Sequence, residues 1–241
     1  MKETSEGVEL GRLLGIPLLV RDFTLRSAPT FLLITFFAGA ARGMADGFVL
    51  VAIVLGSVLA HEMAHALAAR RLGVPVHNIT LTWYGGYAEF VMRPSTRLSE
   101  ILIAAAGPVS NLAIAAVAFP LLHFVTMQSS AHLANSNILM RIEAPQLLER
   151  SVEELAWTNL SFGVFNLLPG LPLDGGHIAS AMLNRWMSRG RANWLAAWAG
   201  VVVGVATILF GFMAKNLWSI LIGISIAMSA WGYKRALRYG A

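Results

Sequence analysis

Six apolar runs divide the chain, at residues 28–41, 47–69, 98–125, 155–168, 193–213 and 216–233. Crossing a bilayer as a helix takes ~20 apolar residues. The first and fourth runs fall short of that and must rely on local thinning of the bilayer or on shielding by neighbouring helices. The pattern changes between the second and third runs. Val76, Ile79, Leu81, Trp83, Tyr87 and Phe90 enrich residues 74–92 in strand formers, and Gly85-Gly86 is a turn signal. These features predict a β-hairpin too apolar for an aqueous loop. It should pack on the helices or dip into the interface, because lipid does not tolerate an exposed strand edge. Residues 126–154 are polar and carry Glu143, Glu149, Glu153 and Glu154, which predicts a loop on the outer side that can form a short surface helix. The expected fold is all-α and polytopic: about six transmembrane helices, with a membrane-associated β-hairpin between helices 2 and 3.

Composition agrees with this class. Of 241 residues, 56% are hydrophobic and only 13% charged, against about 25% charged in soluble domains. Mean hydropathy is +0.64. No polar linker interrupts the runs, so residues 1–241 are expected to form one integral-membrane domain. Residues 1–26 mix Glu, Arg and Gly without a long apolar core and do not resemble a signal peptide. The absence of cysteine excludes a disulfide framework and a thiolate metal site. The net charge of +5 is explained without nucleic acid, because the basic residues flank apolar runs. With a cytoplasmic N-terminus, all of the 18 Lys and Arg except Arg42, Arg141, Arg150 and Lys215 fall on the inner side. Both termini of this multi-pass chain are therefore expected to be cytoplasmic, in a cell membrane.

The second run contains His61-Glu62-Met63-Ala64-His65, an H-E-x-x-H pattern. On a helix, positions i and i+4 share a face, so both imidazoles can reach one ion. Glu62 lies ~100° round from His61. Its carboxylate falls beside that ion, placed to take a proton from water. The competing reading, a pair of satisfied core histidines, is weak because ionisable groups within a span are costly and usually functional. A catalytic zinc takes three protein ligands and keeps one position open. The chain has three aspartates: Asp22, Asp46 and Asp174. Asp174 lies in FNLLPGLPLDGGH, residues 165–177, where Pro169 and Pro172 end a helix and Gly170, Gly175 and Gly176 permit sharp turns. It is the expected third ligand; a plain turn aspartate is the alternative. Depth agrees. Counted from Gly47, His61 lies ~21 Å along a helix, about two-thirds of the way across a ~30 Å core and nearer the cytoplasm.

Together, HEMAH at 61–65, the GG of the hairpin at 85–86, AGPVSN at 106–111 and NLLPGLPLDGG at 166–176 resemble the site-2 protease family of intramembrane zinc metalloproteases. The matching pieces cover about half the chain. The resemblance implies one Zn2+ per chain held by His61, His65 and Asp174, with Glu62 as general base. It further implies hydrolysis of peptide bonds within or near transmembrane segments of membrane-protein substrates, as in regulated intramembrane proteolysis. Many members carry a PDZ or CBS domain; neither is expected here.

The resemblance also draws attention to Asn111 and Asn166. Each can bond a substrate carbonyl or a developing oxyanion, or can instead serve as an interhelical hydrogen bond. Pro108 is expected to kink the helix and help Asn111 point inward. The hairpin at Gly85 and Gly86 offers an edge to which an unwound substrate segment can add as a strand. His177 reads as a loop histidine, since three ligands suffice. Gly200, Gly204 and Gly211 read as helix-packing positions. A divalent-metal transporter, or another metal-binding membrane protein, is the alternative function. It needs ligands on a second helix forming a path through both faces, whereas one cluster near one side fits hydrolysis better. The sequence names no substrate, regulatory membrane partner or oligomeric state.

Overall fold

In the computed structural model, residues 2–4, 7–20, 33, 35–82, 85–92, 94–135 and 143–238 are described. Among the described residues the fold is mostly helical, with a small sheet. Helix α1 is described over residues 35–40. It is followed by α2 (Met44–Arg71), α3 (Arg97–Asn135), α4 (Glu143–Asn166), α5 (Asp174–Leu183), α6 (Arg189–Met213) and α7 (Leu217–Arg238). Among the described residues, three helices are long and apolar enough to cross a membrane: α2, α3 over Arg97–Ser129, and α6. These carry the second, third and fifth apolar runs. Of the first run, residues 33 and 35–41 are described, most of them in α1, and the remainder lies outside the described residues. The fourth lies in α4, whose first half holds Glu149, Arg150, Glu153 and Glu154, and the sixth lies in α7, which ends in Lys234, Arg235 and Arg238.

Two expectations change. Residues 126–154 are not mainly loop: α3 continues to Asn135 and α4 starts at Glu143. Glu, Gln, Leu and Arg are good helix formers, so a helix persists after its apolar run has ended. The hairpin is part of a larger sheet. Strands β1 (Lys2–Thr4), β2 (Gly7–Leu13), β3 (Ile16–Val20), β4 (Val76–Thr82) and β5 (Gly85–Phe90) form one five-stranded sheet in that order. Gly85 and Gly86 open β5 instead of forming the turn, and residues 83–84 lie outside those described. Strands β2 and β3 are joined by Leu14 (φ 51°) and Gly15 (φ 80°). Two consecutive positive φ values give the two-residue turn whose twist matches that of the strands. The register slips between Glu9 and Gly11, where glycine tolerates the bulge.

The chain divides into two units that interleave in sequence. The first comprises residues 1–62, 80–87 and 109–163. Within it, α1 packs closely on the start of α2, since a Cβ on Gly39 would meet the Asp46 carbonyl oxygen and one on Gly47 the Phe36 carbonyl oxygen. Buried Asp46 receives two hydrogen bonds from the Arg150 guanidinium, at 2.7 and 3.3 Å. Arg42 pairs with Glu154, and this hydrogen bond, opposed by partial desolvation, raises the Arg42 pKa. Phe119 and Trp157 meet edge to face at 5.2 Å.

The second unit comprises residues 63–79, 88–108 and 164–241. Ala69, Val74 and Ile103 form a buried cluster under Val76 and Phe90. On the hairpin, fully buried Asn78 donates to Glu89 at 3.1 Å. Arg189 at the start of α6 pairs with Glu100 at the start of α3. Gly204 and Gly223 bring the α6 and α7 backbones together: a Cβ on either would meet backbone of the other helix at 2.7 Å. Helices without large side chains at the contact gain dispersion over a close approach, the main attraction between helices in lipid. Lys234 stands over the rings of Trp198 and Trp231, 4.0 and 3.9 Å from their centroids.

Candidate metal centre

Helix α2 runs unbroken through HEMAH, so His61 and His65 are one turn apart on one face. Both are buried, as is Glu62. Each Nδ1 faces an acceptor. His61 Nδ1 donates to Asn111 Oδ1 at 2.5 Å, and His65 Nδ1 donates to the Ile103 carbonyl oxygen at 2.7 Å. Those oxygens can only accept, so each ring carries its proton on Nδ1 and leaves the Nε2 lone pair for a metal.

The carboxylate arrives from a separate part of the chain. Helix α4 ends at Asn166, and Pro169 and Pro172 prevent its continuation. The intervening loop is fixed by its own backbone. Leu171 N–H donates to the Ala196 carbonyl oxygen of α6 at 2.9 Å, and Leu173 N–H donates to the Gly170 carbonyl oxygen at 2.9 Å. The loop lies so close to α6 that a Cβ on Gly200 would collide with the Leu171 carbonyl oxygen; it also folds tightly on the start of α5, where a Cβ on Gly175 would collide with the Leu167 carbonyl oxygen. Gly200 is therefore the seat of the loop, a more specific role than helix packing. Asp174 is the first residue of α5. Its Oδ1 lies 3.3 Å from His65 Nε2.

Ligand atoms of His61, His65 and Asp174 all lie within 4.8 Å of one another. Zinc bonds of 2.0–2.2 Å in a tetrahedron place ligand atoms about 3.4 Å apart. The His65–Asp174 separation meets that value. Two neutral imidazoles and one carboxylate are borderline-soft and hard donors of the kind found in catalytic zinc sites, so the donor set fits this ion.

The remaining expected residues have other places. Asn111 is fully buried, and its amide is committed within the protein. Oδ1 accepts from His61, and Nδ2 donates to the Ser57 carbonyl oxygen at 3.3 Å and to Asn159 Oδ1 at 2.8 Å. Both amide hydrogens are used within the protein, and the amide oxygen faces His61, the interhelical bonding that was the other expectation for this residue. Asn166 is half-buried at the end of α4. His177, on the first turn of α5, is outside the ligand group and has an exposed edge. The protein around its ring still lowers its pKa by desolvation, Asp174 opposing and His65 reinforcing the shift. Ser57, Ile103 and Asn159 were not expected. The available signal for Asn159 is its position seven residues before Asn166 in one helix, close to two full turns.

Comparison with known proteins extends this geometry. A family model described as "Peptidase family M50" matches residues 49–211. "Putative zinc metalloprotease Rip3" of Mycobacterium tuberculosis is 35% identical over 182 residues, covering 74% of this chain and 42% of that protein. "Zinc metalloprotease MJ0392" of Methanocaldococcus jannaschii is 28% identical over 182 residues, 76% of this chain and 48% of the relative. The chain thus spans less than half the length of these curated relatives. A solved structure, "Site-2 Protease from Methanocaldococcus jannaschii", superposes with a TM-score of 0.67 at 25% identity, covering 94% of each chain.

Proposed function

The chain belongs to peptidase family M50, and from that premise we propose that it is an intramembrane zinc metalloendopeptidase. Its substrates are transmembrane proteins, cleaved within or near their membrane segments. The observation that carries this reading is the convergence of His61, His65 and Asp174 to within 4.8 Å. One zinc per chain would be held through the two Nε2 atoms and a carboxylate oxygen of Asp174. When bound, zinc supplies Lewis acidity, which eases deprotonation of water and polarises a peptide carbonyl.

The other steps belong to side chains. Glu62 follows His61 in the same buried turn and takes the proton of the attacking water; it then passes that proton to the leaving amine. A substrate helix must unwind locally to expose its carbonyl. Strand β5 supports a route for this, because it ends the sheet order and carries Gly85 and Gly86 at its start. An unwound segment adds to that edge through backbone hydrogen bonds. Asn166, close in sequence to the metal-bearing loop, is assigned a contact with the substrate backbone.

Residues 1–241 are read as one membrane domain, supported by the interleaving of its two units along the chain. Six spans with both termini cytoplasmic are supported by the distribution of Lys and Arg, and this topology places the site nearer the cytoplasm. The test is reconstitution of the full chain in liposomes with a transmembrane peptide. One zinc per chain and zinc-dependent cleavage are expected. Metal uptake without cleavage would overturn the reading in favour of transport.

A further inference from the structure

Buried amides inside apolar helices are costly unless every polar atom is satisfied, and such groups are rare without a role. Four polar residues, His61 among them, form a continuous hydrogen-bonded chain. Ser57 and His61 stand one turn apart on α2, Asn111 is on α3, and Asn159 is on α4. The four are 3%, 7%, 0% and 0% exposed, respectively. The hydrogen-bond directions in the chain are fixed by two backbone carbonyls. Asn159 Nδ2 donates to the Leu155 carbonyl oxygen and to Ser57 Oγ, each at 2.9 Å. The Leu155 oxygen can only accept, so Asn159 must turn Oδ1 towards Asn111. Asn111 Nδ2 donates to that Oδ1 at 2.8 Å and to the Ser57 carbonyl oxygen at 3.3 Å. Asn111 must then present Oδ1, the atom that accepts from His61 Nδ1 at 2.5 Å. Half a turn of Asn159 would set its Nδ2 against that of Asn111, and half a turn of Asn111 would set its Oδ1 against Asn159 Oδ1 and the Ser57 carbonyl oxygen.

We propose that Asn159 is a positioning residue: through Asn111 it fixes His61 as the Nδ1–H tautomer, with Nε2 directed to the metal. This rests on the metalloprotease reading. The shorter of the two bonds from Asn111 Nδ2 goes to Asn159, so removing Asn159 leaves only the longer bond to hold the amide. Groups that orient metal-ligating histidines typically change metal affinity 10–100-fold.

The experiment uses the full chain in detergent micelles, as wild type, Asn159→Ala, Asn159→Asp and Ser57→Ala. Ring 15N shifts of His61, assigned with His61→Gln, report its tautomer in metal-free protein. Chelator competition reports the zinc Kd. Wild type should show His61 as the single Nδ1–H tautomer. Asn159→Ala should give a mixture of tautomers and a zinc Kd raised at least about tenfold. Asn159→Asp, held by burial as the neutral acid, keeps an acceptor for Asn111 and an O–H donor for the Leu155 carbonyl, and should restore the single tautomer and a Kd within about threefold of wild type. Ser57→Ala should bring in the second tautomer to a smaller extent, and it decides the matter if Asn159→Ala does not fold. An unchanged single tautomer in both Asn159→Ala and Ser57→Ala, or in Ser57→Ala alone if the other is unfolded, would overturn the proposal. Wild type that binds no zinc would sink the metalloprotease reading, while the metal-free tautomers would still decide the role of Asn159.

Discussion

His65 Nε2 and Asp174 Oδ1 lie 3.3 Å apart, although one belongs to a long apolar helix and the other to the first residue of a short helix after a proline-rich loop. That separation suits two ligands of one ion. Asp174→Ala is therefore expected to raise the zinc Kd by more than about 100-fold, beyond the loss typical of outer partners. Equilibrium dialysis against buffered zinc measures it, and wild-type affinity in the variant would remove Asp174 from the ligand set.

Chelation and metal restoration test the same centre without mutation. Treatment with a strong chelator should abolish peptide cleavage, and one equivalent of zinc should restore it. Activity that survives verified removal of zinc would contradict a metal-dependent mechanism.

Gly200 seats the loop that delivers Asp174, because a Cβ there would collide with the Leu171 carbonyl oxygen. Overpacking of this kind costs about 1–3 kcal/mol. Gly200→Ala should lower the thermal midpoint and weaken zinc binding together. Gly190→Ala, in the same helix with open space around it, should do neither. Equal behaviour of the two variants would show that the contact does not position the loop.

The Asp46–Arg150 pair joins the first turn of α2 to α4. Asp46 is buried and Arg150 partly so, and removing one partner of such a pair strands the other charge. Arg150→Leu should destabilise the protein by about 3 kcal/mol. Asp46→Asn combined with Arg150→Leu should recover part of that loss, as a double-mutant cycle of unfolding midpoints would reveal.

Much of this architecture is legible in the residues. Apolar runs mark α2, α3, α6 and α7, and the four-residue spacing of His61 and His65 places both on one helix face. The prolines and glycines of 169–176 locate the break from which Asp174 emerges. Other features depend on long-range pairing. Strands β1, β2 and β3 lie in a stretch whose mixture of Glu, Arg and Gly shows no long apolar core, and their place in a five-stranded sheet depends on strands many residues away. The polar ends of α3 and α4 resemble loop by hydropathy, but their residues favour helix. Asn111 and Asn166 look alike as lone amides in apolar helices. Only the spatial meeting of Asn111 with His61, Ser57 and Asn159 reveals what its amide does.

The central claim is that Glu62 performs proton transfer beside a metal it does not need to hold. Purified Glu62→Gln and wild-type protein, each loaded with zinc, should be compared for zinc content and for cleavage of a transmembrane peptide. Equal zinc with cleavage reduced by at least about 100-fold, the lower range for loss of a general base, is the expected result. Cleavage by Glu62→Gln at the wild-type rate would contradict the account.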